Sequence, residues 1–339
     1  MRNSQMEGLE SRAGLGFLMQ MDSVQITTPL GLVMAFLIAF VSPEAEAQNV
    51  RSNQIAFVSD TQAPLLIENI FLKSNQNKKA TGLIFDDIIK NKPRALFILG
   101  DVVSLGYRDS KWKSIDRYLE KCREQGIEFH ALLGNHDVMG RPRKGETNFQ
   151  KRFPDHVRTG YVSIIDSIGI VMVNSNFGKL TAVEIDSQQH WYESTLRALD
   201  KNPEVKVVVV TCHHAPYSNS KLVGSSRPVQ THFVPAFINS LKAQLFITGH
   251  SHTFEHFKNS GKNFLVIGGG GGLRQPLRNT LDDVALKYKP MFHYLTLIRT
   301  GEEVRIISHF LKDDFSAFDK TYEFSTVIQK SVAAGNNFD

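Results

Sequence analysis

Apolar residues along this chain come in short unbroken runs, and each run stops at a polar residue of a restricted kind. The runs at 54–59, 95–99, 127–133, 205–212 and 245–248 have strand length. Those at 95–99 and 205–212 are nearly continuous, which predicts strands buried on both faces. Between them, apolar residues recur at helical spacing over 80–90, 110–124, 187–199 and 234–241, predicting helices. A hairpin is predicted from 161–165 and 168–174, turning at Asp166-Ser167. Further strands are expected at 264–267, 294–298 and 304–309, the last two joined by a turn at Thr300-Gly301. The segment 138–158 carries Arg141, Arg143, Lys144, Lys151, Arg152 and Arg158 and reads as an inserted loop or cap. Strands alternating with helices, then a β-rich end, predict an α/β fold of two packed sheets with helices outside.

The N-terminus has a different texture. An apolar run from Pro29 to Phe40 is followed by Ala45-Glu46-Ala47. The run suits the apolar region of a signal peptide and falls short of the ~20 residues a bilayer span needs. The expectation is export (periplasmic or secreted) after cleavage near Ala47, with an uncleaved membrane anchor as the alternative. The leading region departs from the usual pattern, setting Arg2 and Arg12 against Glu7, Glu10 and Asp22. A start at Met19 or Met21 would account for part of this. The chain then divides into a leader over 1–47, one domain over 48–325 and a flexible tail over 326–339.

Composition is that of a globular protein, 42% hydrophobic and 22% charged over 339 residues. Losing 1–47 removes two basic and five acidic side chains and takes the formal net charge from +5 to +8. That balance favours anionic partners through steering. No block of Lys and Arg marks a nucleic-acid arm. Cys122 and Cys212 are too few for a disulfide scaffold and are expected to be unpaired.

The chemistry collects where the strands stop. One run ends at Asp60 and Gln62, the next at Gly100-Asp101, the third at Gly134-Asn135-His136-Asp137. The last two end at His213-His214 and at Gly249-His250-Ser251-His252. Carboxyl ends of strands are where open α/β sheets hold ligands. Carboxylate, amide and imidazole donors suit Zn, Mn, Fe and similar ions.

The series Asp60, Gly100-Asp101, Gly134-Asn135-His136-Asp137, Val210-Thr211-Cys212-His213 and Gly249-His250-Ser251-His252 resembles the calcineurin-like metallophosphoesterases, which include the purple acid phosphatases. The motifs cover about 54–255, and the strand-rich stretch to about 311 resembles the family's second sheet. The resemblance implies a four-layer α/β/β/α sandwich and two divalent or trivalent ions, with Fe, Mn or Zn expected. It implies hydrolysis of a small phosphoester, mono- or diester, by a metal-bridging hydroxide. Asp101 would bridge the ions. Asp60 and His252 would hold the first; Asn135, His213 and His250 would hold the second. His213 is preferred over His214 because it fits the family's spacing from Val210. His136 would protonate the leaving group and, with Asn135, contact the phosphate. His214 would touch substrate or sit behind the ligands, and Asp137 would hold backbone amides. A non-catalytic metal- or phosphate-binding protein that keeps the fold is the alternative.

Departures from the family pattern are specific. Gln62 stands where many members have histidine, either as a neutral oxygen donor or beside a bound water. Ser104 stands where purple phosphatases have tyrosine, so no purple colour is expected. Gly268 to Gly272 resembles the family's glycine-rich turn, and without a helix after it a close-packing turn is preferred over a phosphate loop. His130, His156, His190, His232, His256, His293 and His309 fit no ligand spacing and are expected at the surface or in structural roles.

Overall fold

The structure of the protein is a computed structural model that describes residues 52–327. The expected leader and the tail beyond 327 lie outside the described residues. In chain order the elements begin with β1 (Ser52–Val58), α1 (Glu68–Phe71), α2 (Asn77–Asn91), β2 (Pro93–Ile98), α3 (Asp109–Glu124), β3 (Glu128–Ala131) and α4 (Pro142–Gln150). The middle holds β4 (Tyr161–Ile165), β5 (Ile168–Met172), α5 (Ala182–Lys201), β6 (Val207–Cys212), α6 (Arg227–His232), α7 (Val234–Asn239) and β7 (Ala243–Thr248). The rest is strand: β8 (Phe254–Asn259), β9 (Lys262–Ile267), β10 (His293–Thr300), β11 (Glu303–Leu311), β12 (Phe318–Asp319) and β13 (Glu323–Val327).

Two sheets form. One runs β12-β11-β10-β1-β2-β3 with β13 also on β11; the other runs β4-β5-β6-β7-β9-β8. The strands β1, β2 and β3 are parallel, as are β5, β6, β7 and β9. Their side chains explain the unbroken apolar runs. Ile55, Phe57, Ala95, Phe97, Val207, Val209, Leu245 and Ile247 pack between the sheets. Their neighbours Ala56, Val58, Leu96 and Ile98 face α2 and α3. Val208, Val210 and Phe246 face α5 and α7. A strand covered on both faces needs apolar residues at every position. The result is the expected α/β/β/α sandwich.

The hairpin turns at Asp166 and Ser167, both with positive φ (47° and 66°), as the tight turn requires. The segment 138–158, expected as an inserted loop or cap, is not loop throughout. It contains α4, which buries Phe149 against Trp112 and Phe153. Arg152 pairs with Asp116, and Arg158 pairs with Glu146 and Glu184. Cys122 and Cys212 are free and buried, as expected. Among the described residues no helix is long and apolar enough to cross a membrane.

Candidate metal centre

The strand ends from both sheets meet at one edge, and the chain is bent there in an unusual way. Asp60, Asp101 and His250 all have positive φ, at 59°, 48° and 65°. Non-glycine residues rarely adopt that region, and such strain gathers at functional sites. Backbone bonds lock it in place: Asp60 N donates to Gly100 O (3.1 Å), Gln62 N to Asp101 O (3.1 Å) and Gly249 N to His213 O (3.0 Å).

Acceptor atoms converge inside this edge. His213 is fully buried, and its Nδ1 donates to Leu99 O at 2.9 Å. The neutral ring therefore presents a lone pair at Nε2. That lone pair faces Asp101 Oδ2 at 3.3 Å and Asn135 Oδ1 at 3.1 Å, both acceptors. His252 repeats the arrangement. Its Nδ1 donates to Leu273 O at 2.7 Å, and Nε2 faces Asp60 Oδ1 at 3.3 Å. Asp60 Oδ1 is buried with no hydrogen-bond partner. Acceptors facing acceptors in a buried site need a proton or a cation between them. In the metal-free chain the proton serves. Burial pulls the His213 imidazole down, but the Asp101 carboxylate outweighs it and pushes the ring to about 9. A cation takes the place of that proton.

Gln62 joins the same set. When its amide nitrogen donates to the carbonyl oxygens of Asp60 (3.1 Å) and Asp101 (2.8 Å), both N–H groups are satisfied. The amide oxygen then occupies the position 3.4 Å from both Asp101 Oδ2 and His252 Nε2. It is a neutral donor where an imidazole would bind a cation more strongly. Gln62→His should therefore raise retention of the first ion about tenfold during dialysis against a chelator. Unchanged retention would mean that the amide does not reach the ion.

His250 and His214 complete the polar edge. His213, His214 and His250 each present a ligand atom within 4.8 Å of the others, as do Asp60, Asp101 and His213. His214 thus stands as close to this cluster as the two expected ligands. Its Nδ1 lies 2.8 Å from Ser175 Oγ, and Ser175 also accepts from His214 N at 2.9 Å. Burial lowers His214 to about 3, and burial with the neighbouring imidazoles lowers His250 well below the usual range. Both rings stay neutral, the form a metal needs.

His136 faces the open side. Its backbone N donates to Asp101 Oδ1 at 2.7 Å, and its Nδ1 donates to Ser104 O at 3.2 Å. Nε2 then points into a cleft of about 330 Å³ that also exposes Asp101, Asn135, His250 and His252. Glu68, which belongs to none of the motifs, lies 3.8 Å from His136 Nε2 and lines the same cleft. Asp137 performs its expected task, accepting from the backbone N of Val102, Val103 and Gly134.

Glycine packs tightly around these ligands. A Cβ on Gly134 would lie 2.1 Å from Asp101 N and 2.2 Å from Asp101 Oδ1, and one on Gly272 would lie 2.3 Å from the His252 ring. The glycine-rich turn is a packing device: Gly270 N and Gly272 N donate to Ser59 O and Asp60 O. Those N–H groups hold the Asp60 loop and are not free for a phosphate. Gly134→Ala must displace the Asp101 carboxylate. It should lower thermal stability by about 2–4 kcal/mol and weaken metal retention together; a normal melting temperature with full metal content would contradict the packing described. Of the remaining histidines, His130, His156, His256, His293 and His309 are buried, which is the structural alternative of the two expected.

The sequence model of the family described as calcineurin-like phosphoesterase matches residues 54–254. The chain belongs to that family. Solved structures with the same fold include a purple acid phosphatase from yellow lupin (Lupinus luteus), with a TM-score of 0.60 and 15% identity over 81% of this chain and 53% of that one. This chain therefore spans about half the length of the lupin protein. GAP50, the anchor in the inner membrane complex of Plasmodium, matches with TM-score 0.60 and 15% identity over 82% of this chain and 89% of its own. A dimetal phosphatase from Danio rerio matches with TM-score 0.52 and 11% identity over 81% and 99%. No curated protein sequence matches. At these identities the likeness establishes the fold.

Proposed function

We propose that this member of the calcineurin-like family is a dinuclear metal-dependent hydrolase of phosphoesters. The observation that carries the proposal is the convergence of buried acceptors whose own tautomers leave them unpartnered. His213 Nε2 and His252 Nε2 face Asp101, Asn135 and Asp60 across 3.1–3.3 Å. Asp60, Gln62 and His252 would hold one ion, and Asn135, His213 and His250 the other, with Asp101 shared between them. His214 is the added candidate on the second side. Ions held there would supply Lewis acidity, lowering the pKa of bound water and offsetting charge on the phosphoryl group.

The chain's own residues do the rest. Asp101 is fixed by the His136 N–H, so its carboxylate is oriented before any ion arrives. Asn135 offers its amide to the substrate's phosphoryl oxygens. Ser104 O holds the His136 ring by Nδ1, which leaves Nε2 to hand a proton to the departing oxygen. Purified protein supplied with Zn²⁺, Mn²⁺ or Fe²⁺ should release product from a panel of phosphate mono- and diesters. Two bound ions with no turnover on the panel would sink the proposal.

Export is proposed on the sequence pattern of 29–47. Expressed as the full chain in a host with a secretory pathway, the mature protein should begin at Gln48. Recovery of the intact N-terminus in the membrane fraction would support the anchor instead.

A further inference from the structure

The mouth of the metal cleft is apolar. On one side Leu72, one helical turn after Glu68, lines the cleft. Across the cleft Leu222 is 56% exposed, and Leu222 and Val223 line the same space as His136 and His250. Clustered exposed apolar side chains beside a polar centre mark a binding surface.

This mouth is built, not loose. Ser220 Oγ donates to Gln275 Oε1 at 2.6 Å and accepts from the backbone N of Leu222 (3.2 Å) and Val223 (3.3 Å). Gln275 Nε2 in turn donates to His250 O at 3.4 Å. One residue back, Asn219 N donates to the fully buried Glu255 at 2.7 Å. The apolar pair is thus tied by two bonded steps to the metal-side loop. On the opposite side Glu68 accepts from Leu65 N at 2.5 Å and reaches towards His136.

Charge narrows the ligand further. Among the described residues lining the cleft there is no Lys or Arg, and Glu68 adds a carboxylate. Beyond the metal centre, whose cations attract either ester, the Glu68 carboxylate repels a dianionic monoester more than a monoanionic diester, and no Lys or Arg in the lining offsets it. Resting on the phosphoesterase reading above, we infer that the substrate is an amphiphilic phosphodiester. Its phosphate sits on the metal centre, and an ester chain of several methylenes lies along Leu72, Leu222 and Val223. Hydrolysis forms one P–O bond from water and breaks one ester P–O bond, and the departing oxygen receives a proton.

The test uses metal-loaded protein and p-nitrophenyl alkyl phosphates from methyl to octyl, which share one leaving group. A fully buried methylene is worth about fourfold and a groove open on one side about twofold, so kcat/KM should rise about a hundredfold from methyl to octyl. Leu72→Asp and Leu222→Asp, made separately, should each cut the octyl-to-methyl ratio at least tenfold, the methyl ester serving as the reference within each variant. Val183→Asp, at an exposed site on α5, should leave the ratio unchanged. A flat chain-length series with both esters hydrolysed overturns the inference and spares the phosphoesterase reading. A ratio that survives both aspartate variants also overturns it, as does faster hydrolysis of octyl phosphate than of the octyl diester. Calorimetric binding of O-methyl octylphosphonate against O-methyl methylphosphonate reads the same surface without turnover. Chain-length-dependent binding with no hydrolysis of any ester would uphold the apolar subsite and remove the phosphoesterase reading. Equal binding of the two phosphonates would overturn the inference.

Discussion

Asp101→Asn is expected to lower phosphoester turnover by about a thousandfold or more and to reduce bound metal below two ions per chain. Asn keeps an oxygen for the His136 N–H, so the loop should hold its shape. What it loses is the negative charge at Oδ2, the atom 3.3 Å from His213 Nε2 and 3.9 Å from His136 Nε2. In the proposed arrangement every other candidate ligand serves one side of the site, and this carboxylate is shared by both. Steady-state kinetics and metal content on the same preparation check it. Turnover within tenfold of the parent, with two ions bound, would show that Asp101 is not the shared ligand.

His136→Ala should behave differently, losing turnover while keeping its metals. Loss of a positioned proton donor costs about 10²–10⁴-fold. The loss should be large for an alkyl phosphoester, whose departing oxygen needs the proton, and small for a p-nitrophenyl ester, which leaves unaided. That dependence on leaving group separates proton donation from a purely structural role. It also discriminates against a non-catalytic protein of the same fold, which has no turnover to lose. A uniform loss across leaving groups, with metal lost in parallel, would assign His136 to holding the site together.

The site was unusually legible in the sequence because chemistry and periodicity coincide. Strands buried on both faces must be apolar throughout, so Asp60, Asp101, Asn135, His213 and His250 stand out where each run stops. Metal ligation also needs residue types that are costly to bury otherwise. Glu68 was invisible for the opposite reason. It sits on the short helix α1 between apolar residues, and only the tertiary fold brings it to His136. His214 was legible as a histidine, but its nearness to His250, with ring centres 4.3 Å apart, depends on how β6 and β7 align.

Fold elements were missed where polar residues are buried. The strand β8 reads Phe-Glu-His-Phe-Lys-Asn, yet Glu255 and His256 are inside. Glu255 is satisfied by Ser218, Asn219 and Thr253, and His256 by Tyr322 and Asn263. Ser218, Asn219 and Tyr322 lie more than 35 residues away, and no local pattern announces them. The helix α4 was hidden because one large apolar side chain, Phe149, supplies its buried face, with Gly145 packed against the Asp137 backbone. By contrast, the start of α5 was available and overlooked. Thr181 and Glu184 form a capping box, which begins the helix at Ala182 and not at 187.

The dinuclear reading is tested most directly by titrating metal-free protein with a single divalent ion while following hydrolysis of one phosphodiester. Activity should be absent at the start, rise with added metal and reach its plateau at two equivalents per chain. Full activity in the metal-free protein, or a plateau at one equivalent, would contradict it.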